Sequence, residues 1–279
     1  MARRTLVVHS GGVGDFLFAC PALGHLARTR LELAVAGGLA YAAHGLDDID
    51  FTSVFVAPSA RLRAFLEPFD RAVVWMRDTG KIEAGLRACG VGDVRCFPGL
   101  PPEDWTQHAS EYYLHCMGAP PTPPFRLELP PDAPPLDVVI HPGSGGRRKN
   151  WPLERFLAVA EMLEEQGRDV TWCIGPAEEA LALPANVCVL RCVSLVELGR
   201  ALAGAAFYLG NDSGITHLAA AVGCPTLAVF TTTDPAVWAP RGEHVWVVRT
   251  KAEVTVSAMA RRLRGKVGRM GSMVRKSEG

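Results

Sequence analysis

The sequence predicts an α/β protein made of two Rossmann-like domains facing each other across a cleft. Three observations predict it. The chain has 279 residues, room for two units at roughly 150 residues each. Short β-branched runs alternate with helical patterns along both halves. Between the halves, residues 119–135 hold eight of the 21 prolines, and proline fixes φ and removes an amide donor, so this stretch favours a semi-rigid connection over packed secondary structure. The predicted organisation is an N-terminal domain over 1–118, a linker over 119–135, a C-terminal domain over 136–260 and a tail over 261–279.

The second half carries the clearer pattern. A strand is expected over 137–141, an amphipathic helix over 152–167 and a strand over 169–174. A run at 187–190, a helix over 195–205, a strand over 206–209, a short helix near 215–222 and strands over 226–230 and 245–248 follow. Parallel strands need crossover helices on the sheet faces, and ligands then bind at the carboxyl ends of the strands. The first half repeats the theme with strands over 5–9, 31–35, 54–57 and 72–76. Its helices are expected over 16–28, up to Gly45, over 62–69 and over 105–117.

Composition excludes several classes. Lys plus Arg and Asp plus Glu both number 29, and 48% of residues are hydrophobic, an ordinary globular balance that rules out wholesale disorder and a nucleic-acid-coating polycation. No nucleic-acid partner is expected. There is no uninterrupted apolar run of about 18 residues and no cleavable leader pattern, so a cytoplasmic protein is expected. The eight cysteines form no Cys-x-x-Cys pair and lie mostly in apolar runs, as reduced buried thiols do. Charge is uneven: residues 261–279 carry seven basic groups against Glu278, while the body holds 22 basic and 28 acidic residues. The tail reads either as a solvated terminus or as a weak electrostatic contact with an anionic membrane surface, which would place the protein peripherally at the inner face of the inner membrane.

Three loops at strand ends carry chemistry. The first, Ser10-Gly-Gly-Val-Gly14-Asp15, completes neither nucleotide-loop signature, and Asp15 alone also reads as a helix cap. The second, His141-Pro-Gly-Ser144-Gly145-Gly146-Arg147-Arg148-Lys149, joins exposed amides, a hydroxyl and three cations, a combination suited to a phosphate or diphosphate. In the third, Gly210-Asn-Asp212-Ser213-Gly214-Ile-Thr-His217, Ser213 can cap a helix whose first amides favour negative charge. Asp212 and His217 there also fit a turn-forming Asx and a backbone-satisfied helix histidine. The Asp-x-Asp at 47–50 sits in a polar stretch where turn chemistry is the economical reading, and no metal is expected.

Together the motifs resemble the heptosyltransferase family of bacterial glycosyltransferases, ADP-heptose-dependent enzymes of lipopolysaccharide core assembly. The resemblance rests on Gly14-Asp15 with Pro21-Ala-Leu, on His141-Pro-Gly-Ser-Gly with Lys149-Asn-Trp-Pro, and on Gly210-Asn-Asp-Ser-Gly with His217-Leu-Ala-Ala-Ala, Thr233-Asp-Pro and Pro240-Arg-Gly. It implies a GT-B architecture, with a nucleotide-sugar donor held mainly by the second domain and a glycan or lipid-linked acceptor mainly by the first. By motif, Asp15 corresponds to the general base, Lys149 and Ser144, with Gly145 beside it, to diphosphate contacts, and Asp212, Ser213, Gly214 and His217 to the donor loop. Glu178 would touch the ribose, and Val193 the adenine, through its backbone. The expected reaction is inverting transfer of heptose from ADP-heptose to a lipopolysaccharide core or related glycan without a metal or other cofactor.

Thr231-Thr232 stand where the family has Gly-Pro, and the chain is shorter than its members. A relative using another nucleotide sugar or acceptor therefore stays open, as does a non-catalytic nucleotide-binding module. A dehydrogenase fits least, because no complete dinucleotide fingerprint follows either first strand.

Overall fold

The computed structural model describes residues 4–9, 11–26, 30–34, 59–76, 80–132, 134–191 and 194–250. The chain divides into two compact units, residues 1–123 and 124–279. The expected helix up to Gly45, the strand over 54–57, the Asp-x-Asp at 47–50 and the basic tail lie outside the described residues.

In the first unit, β1 (Arg4–His9), β2 (Arg30–Ala34), β3 (Arg71–Trp75) and β4 (Asp93–Phe97) form a sheet of order β2-β1-β3-β4, every described pairing parallel. Alternate side chains of β1 and β3 face opposite ways. Leu6, Val8, Ala72 and Val74 pack with Leu62 and Leu66 of α2 (Ala60–Leu66) and Ile82 and Leu86 of α3 (Lys81–Ala88). On the other face Trp75 meets Tyr113 of α4 (Ala109–Cys116) edge-on, with ring centroids 5.5 Å apart. Strand β4 and helix α3 escape the sequence pattern, because Asp93 and Arg95 break up β4 and α3 is short and charged. Helix α4 starts at Ala109, later than expected, because the side chain of His108 accepts the Ser110 amide (3.2 Å) and ends the preceding turn.

Helix α1 (Val13–Leu26) begins three residues earlier than the hydrophobic pattern suggests. Asp15 thus sits in its first turn and accepts the Gly12 amide at Oδ2 (2.9 Å), the backward-reaching half of a capping box.

The second unit is a six-stranded parallel sheet of β5 (Val138–His141), β6 (Val170–Cys173), β7 (Cys188–Leu190), β8 (Phe207–Asn211), β9 (Thr226–Phe230) and β10 (Val245–Arg249). Its order is β10-β9-β8-β5-β6-β7. Counted from β5, this is the doubly wound 3-2-1-4-5-6 order, which reverses direction between β5 and β8. Val138, Ile140, Trp172, Leu209, Leu227 and Val229 form the core with Phe156, Val159 and Leu163 of α5 (Leu153–Glu164). Near-continuous apolar strands are what a sheet covered on both faces requires.

The end of the proline-rich segment belongs to this unit. The Leu127 amide donates to the Ala221 carbonyl (2.8 Å), and Asp132 donates to Arg200 (3.3 Å). These contacts lay the segment across α6 (Leu195–Gly204) and α7 (Gly214–Ala221). Gly199 and Gly204 admit it: a Cβ at Gly199 would stand 2.6 Å from Leu129, and one at Gly204 would stand 3.2 Å from the Asp132 carbonyl.

Candidate functional site

The reversal between β5 and β8 sends their following loops apart and leaves a crevice for ligand at the carboxyl edge. The second and third loops of the sequence analysis are those two. Asn211, the last residue of β8, ties them together: its amide nitrogen donates to the Pro142 carbonyl (2.7 Å) and its oxygen accepts the Trp151 amide (2.8 Å). It is fully buried. A residue quoted only as part of a motif therefore fixes the distance between the two halves of the site.

In the second loop, the Ser144 hydroxyl lies 2.5 Å from Asn150 Oδ1 and accepts the Gly146 amide (3.3 Å), folding the loop back on itself. Arg147–Lys149 forms a 3-10 turn that presents its cations, with Arg147 and Arg148 exposed. At Gly145 and Gly146 a Cβ would meet nothing within 4 Å, so packing does not demand glycine there. The Gly146 amide is taken by Ser144, so the backbone that a missing side chain leaves open to a ligand is that of Gly145.

In the third loop, Ser213 caps α7 by accepting the Thr216 amide (3.3 Å), and its hydroxyl lies 3.4 Å from His141 Nδ1. Gly214 is the first residue of the helix, so its amide belongs to the turn that favours an anion.

Asp212 is the hub of the two loops. It is 4% exposed, and its Oδ2 accepts from Lys149 Nζ (2.9 Å) and from the Thr233 hydroxyl (2.6 Å), while His217 Nε2 stands 3.8 Å from Oδ1. Burial alone would raise its carboxyl; hydrogen bonds from His217, Thr233 and Lys149 together outweigh that and hold it below the usual carboxylate range. Asp212 is thus an anchor for Lys149, and His217 turns toward the same carboxylate. Thr233 has no role that its sequence context alone assigns. A hydroxyl three residues after the end of β9 is visible in the sequence, but its partner on another loop is not. Thr231, part of the departure from Gly-Pro, donates to the Arg148 carbonyl (3.1 Å), a second stitch to the cationic turn.

Glu178 ends a 3-10 turn after β6 and is buried. Its Oε2 accepts the Gly175 amide (3.0 Å) and stands 3.7 Å from His141 Nε2. The nearby His141 imidazole does most to hold its carboxyl below the usual range, working against burial. The carboxylate lies against the second loop so closely that a Cβ on Gly143 would come 1.9 Å from Oε1. Ser144, Gly145, Lys149, Glu178, Asp212, Ser213, Gly214 and His217 therefore occupy loops at one edge of one sheet. Val193 lies outside the described residues, and Asp15 belongs to the first unit. Among the described residues, no group of three or more His, Cys, Asp or Glu side chains could hold a metal ion, no helix is long and apolar enough to cross a membrane, and seven cysteines carry no disulfide.

Two parallel α/β units with this site at the switch point of the second define an α/β protein of the GT-B class. The fold agrees with solved structures. That of an E. coli ADP-heptose lps heptosyltransferase II matches with a TM-score of 0.77 at 16% identity, over 96% of this chain and 99% of that one. That of E. coli heptosyltransferase WaaC with ADP matches with a TM-score of 0.62 at 20% identity, over 94% and 99%. Residues 129–263, just under half of the chain, match the model of glycosyltransferase family 9 (heptosyltransferase). Lipopolysaccharide heptosyltransferase 1 of Escherichia coli (strain K12) is 33% identical over 135 residues, which are 46% of this chain and 42% of that relative. The chain thus matches less than half the length of this curated relative.

Proposed function

We propose that the protein is an inverting, metal-independent glycosyltransferase that moves heptose from ADP-heptose to a lipopolysaccharide core or related glycan. The observation that carries this reading is the convergence of the Lys149 turn and the α7 N-terminus at the β5/β8 switch point. In the reaction, an acceptor hydroxyl attacks the anomeric carbon, the bond from that carbon to the diphosphate oxygen breaks, and ADP leaves. Asp15 takes the acceptor's proton. Negative charge grows on the departing diphosphate, and Lys149 with the amides of Gly145 and Gly214 holds it. Glu178 receives the ribose hydroxyls. Support comes from the family domain over 129–263 and from a fold neighbour whose structure holds ADP.

The test is calorimetric titration with ADP, UDP and GDP in EDTA, followed by transfer assays from ADP-heptose. ADP should bind best without divalent metal, and Asp15→Ala should abolish transfer while ADP affinity is kept. Preference for UDP, or a magnesium requirement, would overturn the donor assignment.

A further inference from the structure

The first unit holds a histidine that the reaction scheme does not use. His9 ends β1 and is fully buried. Its Nδ1 accepts the Gly11 amide (3.1 Å), so in the neutral ring the proton sits on Nε2. Nε2 has no hydrogen-bond partner among the described residues, and the ring packs between Phe16 (5.9 Å) and Tyr113 (5.8 Å). An apolar residue would fill this place without leaving a buried donor unsatisfied. What an apolar residue would not supply is the acceptor for Gly11.

That acceptor lies directly behind Asp15. A Cβ on Gly11 would stand 2.6 Å from His9 Cε1 and 2.6 Å from Asp15 Cβ, so the Gly11 backbone is clasped between imidazole and carboxylate side chain. The next amide, Gly12, donates to Asp15 Oδ2 (2.9 Å). Two successive amides are thus fixed by two acceptors on either side of one turn. This turn follows β1 where the order β2-β1-β3-β4 reverses, the position from which a sheet presents groups to a ligand.

We propose that His9 is a positioning residue: through the Gly11 amide it holds the Gly11–Gly12 turn that keeps the Gly12 N–H on the Asp15 carboxylate and aims that carboxylate at the acceptor hydroxyl. The proposal rests on the functional reading above, in which Asp15 is the base. Burial lowers the His9 pKa to about 4, so Nδ1 stays an acceptor at neutral pH. The titratable side chains on the elements around Asp15 are His9 on β1, Cys20 and His25 on α1, and Glu111, Tyr112, Tyr113, His115 and Cys116 on α4 with its cap His108; of these Tyr113 is the one that feels the Asp15 charge. Burial, and then the Asp15 charge, push Tyr113 up, so it stays neutral.

The experiment compares the full chain with His9→Leu, which removes the acceptor, and His9→Asn, whose amide oxygen can replace Nδ1. Carboxyl-carbon NMR titration reads the Asp15 pKa, and transfer kinetics from ADP-heptose read its consequence. Losing the Gly12 donor should raise the Asp15 pKa by about one unit in His9→Leu. The turnover rate should fall about tenfold or more, because a misplaced base loses orientation. ADP affinity should stay unchanged, and His9→Asn should restore both readouts. An Asp15 pKa that does not move in His9→Leu, or equal damage in both variants, overturns the proposal. If the wild-type chain transfers nothing, the functional reading fails, and the NMR titration still decides whether His9 sets the Asp15 carboxyl.

Discussion

The Thr233 hydroxyl donates to Asp212 Oδ2 at 2.6 Å, the same oxygen that Lys149 approaches at 2.9 Å. One buried carboxylate therefore answers to two loops. Thr233→Val should destabilise the second unit by about 1–3 kcal/mol, the cost of taking a donor from a buried acceptor. It should also weaken ADP, because Lys149 is then drawn more tightly to Asp212, whereas Thr233→Ser should behave like wild type. Denaturant titration and calorimetry check this. Unchanged stability and affinity in Thr233→Val would remove Thr233 from the site.

In the proposed reaction Lys149 is the cation that meets the diphosphate. Lys149→Met should lower transfer about 10²-fold or more, as loss of a charge-stabilising donor does. The carboxylate it leaves behind gives a second readout. A group held below its ordinary pKa when folded stabilises the protein above that ordinary value and loses the contribution as pH falls through the lowered one. Asp212→Asn should therefore flatten the acid loss of stability below about pH 4. An identical acid limb in this variant would show that the Asp212 pairing contributes nothing to folding.

Two glycines of one loop should behave oppositely. Gly143→Ala drives a methyl into Glu178 and should cost about 1–3 kcal/mol, as overpacking does. Gly145→Ala meets open space; it should melt like wild type yet bind ADP more weakly if its amide serves the diphosphate. Thermal melts and ADP titration of the pair separate packing from binding.

His9 sets a pH dependence of its own. Its pKa is lowered from 6.5 to about 4 when folded. Below pH 6.5 the unfolded chain takes a proton that the folded chain refuses, so stability falls as pH drops and levels off near pH 4. The loss is about 3 kcal/mol at about 1.4 kcal/mol per unit. Urea denaturation from pH 7.5 to 4 should show this slope, and His9→Asn should reduce it; an equal slope in both proteins would contradict a buried neutral imidazole.

The basic segment 261–279 carries the membrane expectation. Deleting it should reduce sedimentation with vesicles containing anionic lipid, and the difference should vanish at high salt. Equal binding of the full and shortened chains would reject the contact.

Much of this was legible in the residues themselves. Strand β9 lies over 226–230 as expected, and the described strands of the second unit fall within a residue or two of their expected bounds, because buried parallel strands are continuous apolar runs. Glycines, cations and a capping serine single out the loops after β5 and β8 in the sequence, and the structure brings these two loops together at one sheet edge. What lay beyond reading was pairing at long separation. Asn211 bonds Trp151 sixty residues away, Thr233 finds Asp212, and His141 faces both Ser213 and Glu178. Each partner is chosen by strand order, which local pattern does not encode. Asp15 reads from sequence as a loop residue or a helix cap, because the glycines before it mask the helix start at Val13 that puts it in the first turn.

The polyproline strap has a practical corollary for dissecting the molecule. A C-terminal fragment excised at Leu136, where the first strand of its sheet approaches, would lose Leu129 from over Gly199 and leave the Ala221 carbonyl without the Leu127 amide. Helix α7, whose opposite end is the proposed diphosphate contact, would then have an uncovered back. Cutting before Pro124 instead keeps the brace attached to the helix it steadies, so the two fragments should differ in nucleotide affinity even though every loop residue is identical.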